Sequence, residues 1–123
     1  AYGLPERSVA FAVALSALPD SALVRPSTVG TMPAAVQDVA LIVESTVSAA
    51  DVEGALRAGA GDLLESITLF DRYDKIGDGK ISLAFTLVFR ATDRTLTGEE
   101  VSAMREAATA VAAAKFGAVV RTA

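Results

Sequence analysis

The chemistry open to this chain is limited by what it lacks, because none of its 123 residues is cysteine or histidine. Thiol nucleophiles, thiolate and imidazole metal ligands and histidine general bases are therefore excluded. The Ser-His-Asp triad is excluded for the same reason. The remaining polar side chains favour a binding domain over a self-contained enzyme, and we expect no catalytic residue, metal site or bound cofactor in this chain.

Positive charge is concentrated in one part of the sequence, although the net charge of −4 argues against a strongly electrostatic nucleic-acid binder. Residues 71–94 contain five basic and four acidic residues, whereas the rest of residues 33–123 contain four basic and nine acidic ones. We expect a nucleic-acid phosphate backbone to bind near the five basic residues, which are Arg72, Lys75, Lys80, Arg90 and Arg94. Ordinary solvated charge is the alternative for each of them, and Arg94 has a further alternative as an anchor for the turn that follows.

Two aromatic residues, Phe70 and Tyr73, lie beside these cations in the sequence. Aromatic side chains stack on unpaired bases, so both are candidate RNA-binding residues. The alternative is that they form part of the core at a strand edge.

Residues 74–85 (DKIGDGKISLAF) resemble a calcium-binding EF-hand loop in part. Asp74 and Gly79 stand at the first and sixth positions of such a loop. Ile76 stands at the third position, and Phe85 at the twelfth, where a bidentate glutamate is required. We therefore interpret the segment as a hairpin turn and expect no calcium binding.

From residue 32 onward, stretches with two-residue alternation of apolar residues, typical of strands, are interspersed with stretches of helical spacing. Ser48 before Asp51, and Thr97 before Glu100, have the spacing of helix N-terminal caps. Gly117 suits a left-handed C-terminal cap. The predicted elements are a strand over 38–43, a helix over 48–60, strands over 64–73 and 81–90 joined by a turn over 74–80, a helix over 97–116 and a strand over 118–121.

The order strand, helix, strand, strand, helix, strand predicts an α+β fold of the ferredoxin-like, split βαβ type. It has a four-stranded antiparallel sheet with both helices on one face. The strand alternation predicts the residues of the opposite, open face to be Ser66, Thr68, Phe70, Arg72, Ser82, Thr86, Val88 and Arg90.

The first thirty-one residues differ from the rest. Val9, Phe11, Val13 and Leu15 alternate with alanines, which predicts a short strand, and two proline-containing loops follow. Because a single strand cannot bury itself, we interpret residues 1–31 as the trailing strand of a preceding domain plus a linker. Residues 32–123 are expected to fold as one domain.

No run of about 18 apolar residues is present, so we expect no membrane-spanning helix.

Several motifs together carry a resemblance to a known family. They are Pro33 with Asp38-x-Ala40, Phe70-Asp71-x-Tyr73, Gly79-Lys80-x-Ser82-Leu83-Ala84-Phe85, and Asp93-Arg94-Thr95-Leu96-Thr97 with Glu99-Glu100-Val101. In this order and spacing, residues 32–121 resemble the ferredoxin-fold anticodon-binding domain that closes the β subunit of bacterial phenylalanyl-tRNA synthetase. Gly3-Leu4-Pro5-Glu6-Arg7 and the strand after it resemble the end of the module before that domain.

The resemblance implies a role in translation in the cytoplasm. It implies an (αβ)2 heterotetramer whose α subunit holds the phenylalanine and ATP site, with ATP and Mg as the parent enzyme's cofactors. This domain would bind the anticodon stem-loop of tRNA(Phe) and support aminoacylation without a catalytic residue of its own.

An alternative remains open, because family members commonly have basic residues at four positions that are uncharged here: Val36, Gln37, Ile81 and Thr86. A domain that kept the fold and lost these cations would be a protein-interaction or assembly module with little RNA binding.

Overall fold

A computed structural model of the chain describes residues 2–26 and 29–122. From Ala35 onward it contains β1 (Ala35–Glu44), α1 (Ala49–Ala60), β2 (Leu64–Gly77), β3 (Lys80–Phe89), α2 (Gly98–Phe116) and β4 (Val119–Val120). The strands form one sheet in the order β2-β3-β1-β4, and all neighbouring strands are antiparallel. The predicted ferredoxin-like α+β fold is confirmed.

The core lies between the helices and one face of the sheet. Its frame is the pairing of β1 with β3, which runs over ten residues from Ala35 opposite Phe89 to Glu44 opposite Lys80. Alternate side chains of β3 are buried on the helix side, as the alternation predicted: Ile81, Leu83, Phe85, Leu87 and Phe89. Val39, Leu41 and Val43 of β1 are buried beside them. Each such side chain contributes roughly 1.5–3 kcal/mol through its removal from water.

Both helices begin and end at residues that the sequence indicated. Ser48 Oγ accepts a hydrogen bond from the Asp51 amide at 3.1 Å. Thr97 Oγ1 accepts from the Glu100 amide at 3.2 Å, while the Glu100 carboxylate accepts from the Thr97 amide at 2.9 Å. This reciprocal capping box satisfies two amides that the helix itself leaves unpaired. At the other end of α2, Gly117 has a φ of 62°, the left-handed conformation that glycine adopts without strain.

Glu100 also joins α2 to the loop before it. Its Oε1 atom lies 2.7 Å from Nη1 of Arg94. The hydrogen bonds from Arg94 and from the Thr97 backbone lower the pKa of Glu100 from 4.5 to about 2. The interpretation of Arg94 as an anchor of this turn is therefore confirmed.

The hairpin between β2 and β3 is longer and its turn shorter than predicted. β2 continues to Gly77, so Asp74 lies within the strand. The turn consists of Asp78 and Gly79, whose φ values of 54° and 69° are both positive. Two successive positive φ values define a type I′ turn, and an Asp-Gly pair is well suited to it because its backbone twist matches that of the flanking strands.

The two helices pack most closely at Gly59 of α1. A Cβ atom placed there would lie 2.6 Å from the carbonyl oxygen of Ala107 and 2.7 Å from Cα of Ala108, both in the backbone of α2. Gly59 lies inside α1, and the close approach of the helices explains why this position is a glycine.

Residues 2–26 lie outside the core, with one short 3-10 helix at Leu15–Ala17. The strand predicted over residues 9–15 is not formed, because no neighbouring strand pairs with it among the described residues. Val9 and Phe11 are more than nine-tenths exposed. The assignment of residues 1–31 to a preceding domain stays a prediction.

In the part of the chain that the structure describes, no helix has the length and apolar character needed to cross a membrane.

The glycines of α1 give a matched test of the helix packing. We expect Gly59→Ala to lower the free energy of unfolding by about 1–3 kcal/mol, because the new methyl group overlaps the backbone of α2. Gly54→Ala meets no atom within 4 Å and should raise stability by up to about 1 kcal/mol through helix propensity. Urea unfolding of both variants measures the difference. Equal effects of the two substitutions would contradict the close contact.

The capping box predicts a particular pH dependence of stability. Because the pKa of Glu100 is lower in the folded chain, its contribution is present above pH 4.5 and is lost as the pH falls towards 2. We expect Glu100→Gln to lower the melting temperature at neutral pH, and the difference from the original chain to shrink between these values. Glu99→Gln, in the same helical turn, is the control. A constant difference across the pH range would contradict the assignment.

Candidate nucleic-acid interface

The face of the sheet opposite the helices has a floor of small residues at its centre. Ala40 of β1 lies opposite Ala84 of β3, and Ala84 lies opposite Asp71 of β2. One row further along, Ser82 lies opposite Tyr73. These side chains rise little above the backbone, so a shallow depression crosses the two central strands between the sheet edges.

Two long side chains from opposite edges of the sheet meet over this floor. Tyr73 belongs to the edge strand β2, whereas Arg121 follows β4 at the other edge and donates its backbone N–H to the carbonyl of Ala40 at 2.8 Å. The Cζ atom of Arg121 lies 5.9 Å from the centre of the Tyr73 ring, a cation–π distance. Since β3 and β1 lie between the two residues, their side chains must extend over the small floor to meet.

A β-bulge decides which residues of β2 reach this face. Leu69 pairs with Phe85 and Asp71 pairs with Ala84, so Phe70 is an additional residue without its own partner. The insertion shifts the alternation by one residue, which exchanges the two faces for the rest of the strand. Asp71 and Tyr73 therefore lie on the open face, and Phe70 is exposed at the bulge.

The predicted position of Arg72 on the open face is wrong for the same reason. Arg72 pairs with Leu83, whose side chain is buried on the helix side. The guanidinium forms an ion pair with Asp74, with Nε 2.8 Å from Oδ1. Strict alternation counted from Ile67 could not reveal the additional residue.

Arg90 forms an internal clamp and is not a free surface cation. Its Nε atom lies 2.7 Å from the carboxylate of Glu65, and Nη1 donates to the backbone carbonyl of Met32. A Cβ atom on Gly30 would overlap Cδ of Arg90, so the chain passes directly over this side chain. The side chain is only 26% exposed. The expectation that Arg90 is available on the open face is therefore corrected, because the segment before β1 covers it.

The two lysines and three arginines of the predicted patch thus differ in availability. Arg72, Arg90 and Arg94 each have a carboxylate partner within 2.8 Å. Lys75 lies in β2 and Lys80 begins β3, next to the hairpin turn, and neither forms an ion pair among the described residues. The free positive charge at the hairpin therefore comes from the lysines.

Arg121 is the residue that the sequence analysis missed. Arg121 follows a closing strand that is too short to show an alternation of apolar residues. It also lies outside residues 71–94, the segment richest in cations. The alanines at positions 40 and 84 were the available clue, because small residues in two neighbouring central strands leave room for longer side chains from the edges.

Comparison with known proteins agrees with this architecture. The sequence profile of the ferredoxin-fold anticodon binding domain matches residues 30–121. The chain belongs to this family. The resemblance inferred from the motifs is confirmed.

Relatives of the chain include phenylalanine–tRNA ligase β subunits from three bacteria. The subunit of Streptomyces avermitilis is 53% identical over 98% of this chain and 15% of its own length. The subunit of Thermobifida fusca is 49% identical over the same shares, and that of Mycobacterium leprae is 45% identical over the same shares. The chain therefore spans about 15% of the length of these relatives.

The clamp at Arg90 generates a prediction about the segment before β1. We expect Arg90→Ala to lower the free energy of unfolding by about 1 kcal/mol and to speed thermolysin cleavage of the segment around Met32, because that segment loses its hydrogen bond to the side chain. Arg57→Ala, which removes an exposed ion pair with Glu53, is the control and should leave this cleavage rate unchanged. A cleavage rate that is the same in all three proteins would contradict the clamp.

Proposed function

We propose that the chain binds the single-stranded anticodon loop of tRNA(Phe) on its open face, as the anticodon-binding part of a phenylalanine–tRNA ligase β subunit. The observation that carries the proposal is the pairing of Tyr73 with Arg121 over the floor formed by Ala40, Ala84 and Ser82. The relatives, which are phenylalanine–tRNA ligase β subunits, support the choice of tRNA.

The arrangement suits an unpaired base for physical reasons. Tyr73 is 45% exposed, so one side of its ring remains open to stacking. An aromatic ring is a surface on which splayed-out RNA bases stack, and the Arg121 guanidinium 5.9 Å from the ring centre places positive charge beside it. Asp71 beside them has carboxylate oxygens that accept hydrogen bonds from a base amino group.

The electrostatic contribution on this proposal is modest. Lys75 and Lys80 are the predicted cations left to contact phosphates, whereas Arg72, Arg90 and Arg94 are already paired. Phe70, exposed at the bulge, is a second candidate for stacking. With few phosphates neutralised, we expect an affinity of the isolated chain near the non-specific range of roughly 10⁻⁴–10⁻⁶ M at physiological salt.

The wider assignment follows from the same proposal. The parent protein would be a cytoplasmic aminoacyl-tRNA synthetase that uses ATP and Mg and pairs this subunit with an α subunit in an (αβ)2 heterotetramer. This domain would be its non-catalytic, anticodon-binding part. The chain would contribute to aminoacylation by positioning the tRNA.

Substitution of Tyr73 tests the proposed site directly. We expect Tyr73→Ala to weaken binding of an RNA hairpin with the tRNA(Phe) anticodon stem-loop sequence by about tenfold or more, because stacking on one base contributes about 1–3 kcal/mol. Tyr73→Phe keeps the ring and should bind nearly as well. Tyr2→Ala removes a tyrosine that is 92% exposed outside the domain and is the matched control. Fluorescence anisotropy measures the affinities.

The lysines give a second test with an independent measurement. Lys80→Ala should lower the slope of log affinity against log salt by about 0.7, the value for one phosphate contact with a single strand. Lys115→Ala, in the last turn of α2, should leave the slope unchanged. If the chain does not bind the RNA, or if Tyr73→Ala and Lys80→Ala bind as well as the original chain, the assembly-module alternative is favoured instead.

A further inference from the structure

Two arginines of the domain have no acidic partner within the described ranges 2–26 and 29–122. Four of the six arginines in residues 29–122 form ion pairs, namely Arg57, Arg72, Arg90 and Arg94. Arg105 of α2 and Arg121 form none with the described residues. The only hydrogen bond of the Arg105 side chain to those residues is a long one of 3.5 Å, from Nη1 to Oε1 of Gln37. A domain of negative net charge thus has two guanidinium groups that form no direct ion pair with the described residues.

Both of these arginines line the same cleft, which we call the edge cleft. It has a volume of about 300 Å³ and lies between α2 and the edge of β1 next to β4. Its lining includes Asp38, Ala40, Arg105, Glu106, Thr109 and Arg121. Ala40 and Arg121 also belong to the floor and rim of the open face, so the cleft adjoins that face at the β4 edge of the sheet.

The cleft exists because β4 is short. β4 pairs only with Leu41 and Ile42, and one further bond joins the Arg121 amide to the Ala40 carbonyl. β1 extends beyond this point to Ala35, so no strand among the described residues lies beside the backbone amides of Val36 and Asp38 on that edge. An edge with unpaired amides, next to a guanidinium, offers several hydrogen-bond donors to one ligand.

The acidic residues of the cleft limit where an anion can be placed. The Asp38 carboxylate already accepts a hydrogen bond from Thr86 Oγ1 at 2.6 Å, on the open-face side. Glu106 adjoins Arg105 in the sequence and forms no ion pair with the described residues. A phosphate group would therefore be attracted to Arg105 and repelled by Glu106.

We propose that the edge cleft receives a backbone phosphate of the RNA strand whose base stacks on Tyr73, with Arg105 as its cationic contact. This inference rests on the proposed function and adds a second point of attachment to it. A planar guanidinium donates two parallel hydrogen bonds to phosphate oxygens, which fixes the position of the strand as well as adding affinity. Ala40 and Arg121 line both the cleft and the open face, which favours this strand over a protein segment.

The test uses the full chain and a labelled RNA hairpin with the tRNA(Phe) anticodon stem-loop sequence. We expect Arg105→Ala to weaken binding about five- to tenfold and to lower the salt slope by about 0.7. Arg105→Lys should retain the slope because it keeps the charge. Arg57→Ala, on the other helix, is the matched control and should change neither quantity.

Glu106→Gln, at the neighbouring position, should change the affinity for the RNA in the opposite direction from Arg105→Ala. Removal of a negative charge beside a phosphate should tighten binding about two- to threefold. A purely structural effect of substitutions in α2 would not reverse sign between adjacent residues. Thermal unfolding of each variant shows whether the fold is retained.

The outcomes separate this inference from the proposed function. If Arg105→Ala binds like the original chain while Tyr73→Ala is weakened, the edge cleft is not on the RNA path and the stacking site stands. If neither substitution changes the affinity, or if the original chain does not bind this RNA, both are overturned. A loss in Arg105→Ala with an unchanged salt slope would also contradict a phosphate contact.

Discussion

The pairing of β1 with β3 is the constraint on which the rest of the domain depends. These two strands are joined over ten residues, and their alternate side chains form the buried side of the sheet. Because a slip of one residue would exchange the two faces, burial of Phe85 and Leu41 fixes the register. The same register places Ala40 beside Ala84 on the opposite side. The depression on the open face is thus a consequence of core packing.

Those parts of the fold that depend on local chemistry could be predicted from the sequence. Strand alternation, the capping residues Ser48 and Thr97 and the glycine at position 117 each act over a few residues, so the pattern alone carried the information. The bulge at Phe70 and the close helix contact at Gly59 could not be predicted in this way. The helix contact joins segments far apart in the chain, and the bulge depends on how β2 pairs with β3, which local patterns do not show.

The candidate site was predicted less well than the fold, because a charge count does not show which charges are paired. Arg72, Arg90 and Arg94 counted as cations in the sequence, yet each has a carboxylate partner in the structure. Tyr73 was a stacking candidate with a core alternative, and it is the bulge at Phe70 that places it on the open face. Its partner Arg121 was missed, since the two are brought together only when the sheet places β2 and β4 at opposite edges.

The clamp between Arg90 and Met32 has a consequence for the domain as a tethered module. The end-to-end distance of a flexible linker grows with its number of flexible residues. The effective concentration of a domain attached by that linker falls as this number increases. Because Arg90 holds the chain at Met32, the residues between Met32 and β1 do not add to the length of a flexible linker. Any body joined through residues before Gly30 therefore meets the open face over a narrower range of positions than the length of the connecting segment alone would allow.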